Sequence, residues 1–247
     1  MIKNSNIIIT GATSGIGFVL AKKLSKNNKI IAIGRDSKKL NALKKAIGKN
    51  HLFLKIDLTQ PETIYENLSF IDMPIHGFVH CAGIESIMPL RFVTNKKFID
   101  IMNLHVFSFI EIIKLIDKKK TKSDEYLTSI VSVSSYASTN GGAMQTLYSS
   151  SKSAVESLSK PLSKELANKK IRINSIKPGL VDTEMTERWR KRIGIQDQKD
   201  ISSLQLYGIA QPKNVVNLIE FILSDKSQFI IGSAIDIDGG GPSSSLG

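Results

Sequence analysis

Asn6-Ile7-Ile8-Ile9-Thr10-Gly11-Ala12-Thr13-Ser14-Gly15-Ile16-Gly17 is the stretch on which the reading of this 247-residue chain turns. The apolar run at 6–9, stopped by Thr10-Gly11, reads as a strand buried on both faces. The periodic apolar residues Val19, Leu20 and Leu24 after it read as a helix. Between them, glycines permit positive φ and let the backbone approach a ligand closely. Free N–H groups at the start of such a helix suit a pyrophosphate. The spacing G-x-x-x-G-x-G is one residue longer in its first gap than the common dinucleotide fingerprint. A tight turn without a ligand is the plainer reading, and the strand before and helix after it favour binding.

The same alternation continues. Lys29 to Ile33 read as a second strand, with Gly34 at its tip and Arg35 next. An acidic residue there would hold a ribose 2′-hydroxyl, whereas arginine suits a 2′-phosphate. NADP(H) is therefore favoured, with NAD(H) as the alternative. Asp36 reads as the N-cap region of a helix over Ser37–Ile47, or else as a group reaching a ribose hydroxyl. A third strand, 51–56, ends at Asp57-Leu58-Thr59. Asp57 suits either an adenine amino group or a cap for a helix at 61–68. Gly77 to Cys81 form a fourth strand, with His80 inside it, and the small pair Ala82-Gly83 leaves room for a cofactor. Helical spacing runs over Asn95–Asp117, carrying Asn103 in mid-helix and His105, read as a surface or partner position. A fifth strand, Leu127–Val133, ends in Ser134-Ser135.

Tyr148-Ser149-Ser150-Ser151-Lys152 follows, on a helix that runs to about Asn168 with Pro161 inside it. Residues four apart share a helix face. A phenol titrates near pH ~10, and a cation one turn away lowers that value toward the range of acid-base work. A sixth strand, Ile171–Ile176, ends in Lys177-Pro178-Gly179. Residues 183–208 read as a substrate flap with one or two short helices. A helix at about Pro212–Leu223 and a strand at Ala234–Ile237 complete the pattern. The fold expected is α/β: one doubly wound parallel sheet with helices on both faces, in one domain over 1–247.

The formal charge of +12 comes from lysines spread over many segments, with no interleaved aromatics, so a nucleic-acid partner is not expected. No run of 18 apolar residues appears and the first residues do not read as a signal peptide, so neither a membrane span nor export is expected. One cysteine, Cys81, excludes an intramolecular disulfide and fits the cytoplasm. No metal-ligand set is expected.

These residues together resemble the short-chain dehydrogenase/reductase family over essentially the whole chain. The resemblance rests on Thr10-Gly11-x-x-x-Gly15-Ile16-Gly17, Asp57, Ala82-Gly83, Asn103, Ser135, Tyr148-x-x-x-Lys152, Pro178-Gly179 with Val181 and Thr183, and Asp238-Gly239-Gly240. It implies a catalytic set of Asn103, Ser135, Tyr148 and Lys152: Ser135 orients a carbonyl, Tyr148 gives a proton, Lys152 lowers its pKa and binds the nicotinamide ribose, and Asn103 holds a water. It implies cofactor contacts from Gly11, Thr13, Ser14, Gly15, Ile16 and Gly17, from Arg35, Asp57 and Leu58, from Cys81, Ala82 and Gly83, and from Pro178, Gly179, Val181 and Thr183. It also implies a homo-oligomer, a tetramer or dimer pairing helices 95–117 and 147–168. Length and ending look like the 3-oxoacyl-[acyl-carrier-protein] reductase group, in which Lys169 matches a carrier-receiving base and Tyr126 stands where another base is expected. A sugar or other small-alcohol dehydrogenase and a non-catalytic nucleotide sensor are the alternatives. His80-Cys81 stands where the family usually has Asn-Asn, and Pro161 interrupts the interface helix.

Overall fold

The structure, a computed structural model, describes residues 2–194 and 205–241. Seven parallel strands form one sheet in the order β3-β2-β1-β4-β5-β6-β7. They are β1 Asn6–Thr10, β2 Lys29–Gly34, β3 Leu52–Lys55, β4 Gly77–His80, β5 Thr128–Val133, β6 Ile171–Pro178 and β7 Ala234–Ile237. The order reverses between β1, which neighbours β2, and β4, reached only after β3. Ligand crevices in such sheets lie at this reversal, beyond the carboxyl ends of the strands.

Strand periodicity sends successive side chains to opposite faces. On β1, Ile8 joins a core with Ile33, Phe78, Ile130 and Ile173, while Ile7 and Ile9 join the other with Ile30, Val79 and Val131. The first core is covered by α3 (Ile64–Leu68), α4 (Asn95–Met102), α5 (Ser108–Lys119), α6 (Thr146–Ser157) and α7 (Ser159–Leu166). The second is covered by α1 (Gly15–Leu24), α2 (Ser37–Ile47) and α9 (Pro212–Leu223). A further helix, α8 (Glu184–Arg192), stands over the strand ends. With both faces covered, the strands are buried on both sides, which is why β1 and β2 read as continuous apolar runs, while β5 and β6 bury Ser, Thr, Asn and Arg side chains among their apolar ones.

Two helices differ from their expected form. The 95–117 segment is interrupted by a π-helical turn, Asn103–Phe107, closed by Ser108 N–H donating to the Asn103 carbonyl. The helix of 147–168 breaks at Leu158 into α6 and α7. Pro161 has no N–H to offer the Ser157 carbonyl one turn back, so the break falls there. The expected helix at 61–68 begins as a 3₁₀ turn at Pro61–Thr63. Of the expected flap at 183–208, α8 is observed and residues 195–204 lie outside the described part.

Arg172 on β6 is the largest fully buried side chain. Its guanidinium donates to the carbonyls of Ile222, Ser224 and Ser227 and to Ser227 Oγ, tying β6 to the end of α9. Burial lowers its pKa to about 10. Because the carbonyls it serves are buried with it, truncation strands them. Arg172→Ala is expected to destabilise the fold by about 3 kcal/mol, read as a lower midpoint in urea unfolding.

Candidate active site

A cavity of about 450 Å³ opens at the carboxyl ends of β1, β4, β5 and β6. One wall is the turn from β1 into α1. Gly11 has φ +62°, and a Cβ there would stand 2.8 Å from the Cys81 carbonyl carbon and the Ala82 nitrogen. A Cβ on Gly17 would stand 2.3 Å from the Gly11 oxygen. The turn is therefore folded directly against the end of β4, and only glycine fits. Ser14, the N-cap residue of α1, makes no side-chain cap bond, and the first turn of α1 carries no acidic residue. The first N–H groups of this helix are left without an anionic side chain of the protein's own. A dinucleotide pyrophosphate matches that cradle.

The opposite wall is α6. Ser134 at the end of β5 donates its hydroxyl to the Lys152 carbonyl at 2.9 Å and to Glu156 Oε2 at 3.3 Å. Ser138 Oγ donates to the same Glu156 oxygen, and the ammonium of Lys177 on β6 lies 4.0 Å from Oε1 and 3.0 Å from Asp236 Oδ1. These contacts seat α6 across the strand ends, so that Tyr148 and Lys152 face the cavity together with Ser135.

The protonation of the pair departs from expectation. Tyr148 is half-buried, and desolvation of its hydroxyl holds its phenol above the ordinary value. The Ser135 hydroxyl opposes the shift and the charge of Glu85 adds to it. Lys152 does not produce the expected lowering. Its ammonium donates to the Val133 carbonyl at 2.8 Å and stands 5.8 Å from the Tyr148 ring centre. Burial brings Lys152 itself down to about 8. The spacing of the two residues put them on one face as expected, but the Lys152 ammonium is turned to the Val133 carbonyl and desolvation decides the phenol. At neutral pH the phenol is protonated, the state a proton donor requires.

Two buried histidines stand behind these groups. His105, expected at a surface or partner position, is fully buried. Ile84 N–H donates to its Nε2 at 3.0 Å, which leaves the ring proton on Nδ1, facing Ser151 Oγ at 2.8 Å. Ser151 in turn donates to the Tyr148 carbonyl at 2.8 Å. His80 shares a 2.9 Å hydrogen bond with Thr10 Oγ1, which also accepts from Ala82 N–H. Its Nε2 makes no well-directed bond and lies against the Leu104–His105 backbone of the π-turn. The histidines thus link β1, β4, the 82–84 turn and α6.

Of the expected cofactor positions, Gly11, Ser14, Gly15, Ile16, Gly17, Cys81, Gly83, Pro178, Gly179, Val181 and Thr183 line the cavity. Thr13, Arg35, Asp57, Leu58, Ala82 and Asn103 are not part of its lining. Asn103 donates its amide to the Thr59 carbonyl at 3.0 Å. Asp57 accepts from Thr59 N–H and Oγ1, so it caps its own turn rather than the 61–68 helix. Asp36 accepts from Lys38 and Lys39 N–H as the N-cap of α2. Arg35 is exposed beside it. The Cys81 thiol is pushed up to about 12 by burial, which makes it unreactive. Glu85, Arg188, Trp189 and Gln205 also line the cavity. No spacing marks them in the sequence, because they come from loops and from α8, brought in by the fold.

A sequence profile of the family described as short chain dehydrogenase matches residues 5–194. The 3-oxoacyl-[acyl-carrier-protein] reductase FabG of Chlamydia trachomatis is 26% identical over 248 residues, 97% of this chain and 98% of that protein. The L-xylulose reductase of Caenorhabditis elegans is 28% identical over 242 residues, 96% of this chain and 95% of that protein. The L-sorbose reductase of Gluconobacter frateurii, solved with NADPH and L-sorbose, superposes with a TM-score of 0.87 at 23% identity, over 97% of each chain, a likeness of fold.

Burial holds His80 down to about 3 and His105 well below the ordinary histidine value, chiefly by desolvation. Both bind a proton in the unfolded chain near pH ~6.5 but not in the fold. These two groups therefore add no pH dependence above that pH, and they make stability fall as pH drops below it. Two such groups give a slope of about 2.7 kcal/mol per pH unit. Urea unfolding between pH 7 and 5 should show this slope, and His105→Gln should roughly halve it.

Proposed function

This chain belongs to the short-chain dehydrogenase family, and from that premise we propose that it reduces a ketone to a secondary alcohol with NADPH. The family's chemistry is hydride exchange between a nicotinamide dinucleotide and a C–OH/C=O pair. The observation that carries the reading is the half-buried, protonated Tyr148 phenol in one cavity with Ser135, Lys152 and the glycine cradle of α1.

When bound, the dinucleotide supplies the hydride. The chain's own residues do the rest. Uncapped N–H groups at Ser14–Gly17 would receive the pyrophosphate, and Pro178, Gly179, Val181 and Thr183 also border the cavity. Ser135 and Tyr148 both donate to the carbonyl oxygen, and Tyr148 passes its proton there as negative charge develops. Lys152, charged below about 8, lines the same cavity, where its ammonium would hold the nicotinamide ribose. Asn103 acts through position: the π-turn that begins at it sets His105 against the turn at Ile84.

Arg35 supports NADPH over NADH. Asp36, the acidic residue nearest the tip of β2, is engaged in capping α2, which leaves the Arg35 guanidinium as the free group beside the expected 2′-position. Lys169 weighs against a carrier-bound substrate, since its ammonium is paired with Asp117 Oδ1 at 2.6 Å. A small ketone therefore fits better than a 3-oxoacyl chain on its carrier protein. The exposed apolar side chains Phe98, Ile99 and Phe107 along α4 and the π-turn favour assembly with further copies of the chain through that face. The unreactive single thiol fits a reducing compartment such as the cytoplasm.

Tyr148→Phe is expected to lower kcat at least about 1,000-fold in NADPH oxidation with a ketone panel while leaving NADPH affinity within a few-fold of the parent. Turnover undiminished by the change would refute the assignment, and binding without any turnover in the parent would favour a nucleotide sensor. Arg35→Ala is expected to weaken NADPH binding about 10- to 100-fold and NADH binding hardly at all, by fluorescence titration.

A further inference from the structure

Glu85 lies in the turn after β4 with its side chain only 9% exposed, and it lines the cavity that holds Tyr148. Among the described residues, neither carboxylate oxygen receives a well-directed hydrogen bond. Its nearest cation is Arg192 on α8, with Nη1 at 3.1 Å from Oε1, and Arg188 on the same helix also acts on its charge. The carboxylate is close enough to Tyr148 for its charge to act on the phenol. An ionised group buried this far normally has its lone pairs filled by donors. Here the charge is balanced from α8 and the acceptor sites are vacant. Another cation is not what the site lacks; hydrogen-bond donors are.

We propose that Glu85 is a specificity-determining residue that accepts hydrogen bonds from hydroxyl groups next to the substrate's carbonyl, so that the substrate class is hydroxy ketones. The inference rests on the ketone-reductase reading above. A hydrocarbon placed beside the reacting carbonyl would seal those oxygens away from water with nothing to replace it, whereas a hydroxyl fills one of them. Sites built to bind a hydroxyl reject the analogue that lacks it more strongly than apolar pockets reject a size change. The Arg192 contact is to Oε1, and among the described residues no donor is bonded to Oε2, which suits it to a substrate hydroxyl.

The test compares hydroxyacetone with butanone, in which a methyl group replaces the hydroxyl, as substrates for NADPH oxidation. The full chain is expected to favour hydroxyacetone at least about 10-fold in kcat/KM. Glu85→Leu should bring that ratio to about one by raising KM for hydroxyacetone, and Glu85→Gln, which keeps an acceptor oxygen, should retain part of it. NADPH titration checks that each variant is folded; if Glu85→Leu does not bind it, the ratio in Glu85→Gln decides. A ratio near one in the parent, or a ratio unchanged by the substitutions, overturns the inference and leaves the reductase reading standing. Bound NADPH with no turnover of either ketone overturns both.

Discussion

The hydroxyl of Ser134 reaches from the end of β5 to the Lys152 carbonyl and to Glu156. Few other contacts in the molecule place so much. They hold α6 across the carboxyl edge of the sheet, and α6 carries both Tyr148 and Lys152. Once there, Lys152 is buried and Tyr148 half-buried. The phenol rises and the ammonium falls for the same reason, the cost of charging a group away from solvent. The ammonium moves toward working pH and the phenol away from it: a phenol that keeps its proton at neutrality, beside an ammonium that is still charged there.

The same edge of the sheet depends on two neutral histidines. A π-turn in the helix before β5 rotates His105 inward, where its two ring nitrogens serve different masters, the Ile84 N–H and the Ser151 hydroxyl. His80 faces the π-turn from β4 and closes a second set of bonds through Thr10 to Ala82. At His80-Cys81 the chain lacks the family's usual amide pair, and these rings bridge the elements around that position. Their burial makes the arrangement rigid at neutral pH and vulnerable in acid.

Glu85 and α8 show how the cavity acquires character of its own on a shared scaffold. The glycine cradle, the serine and the tyrosine-lysine pair are reached by elements of the sheet and its flanking helices. The groups that distinguish one substrate from another arrive from the turn after β4 and from a helix that stands over the strand ends. Function of this kind sits in a site grafted on a common fold rather than in the fold itself.

Apolar runs, glycine turns and helical spacing sufficed to read the parallel sheet, the cradle at Gly11–Gly17, the pairing of Tyr148 with Lys152 and the Asp36 cap, because each depends on residues within one or two turns of chain. Pro161 likewise announced the break near Leu158, since a missing N–H acts locally. What lay beyond the sequence depends on residues far apart. The raised phenol of Tyr148 follows from how deeply α6 is buried, the inward turn of His105 from a π-turn that no spacing signals, and the vacant acceptors of Glu85 from an arginine over 100 positions away. Local order is encoded by neighbours along the chain; desolvation and charge balance are set by neighbours in space, and only folding decides who those are.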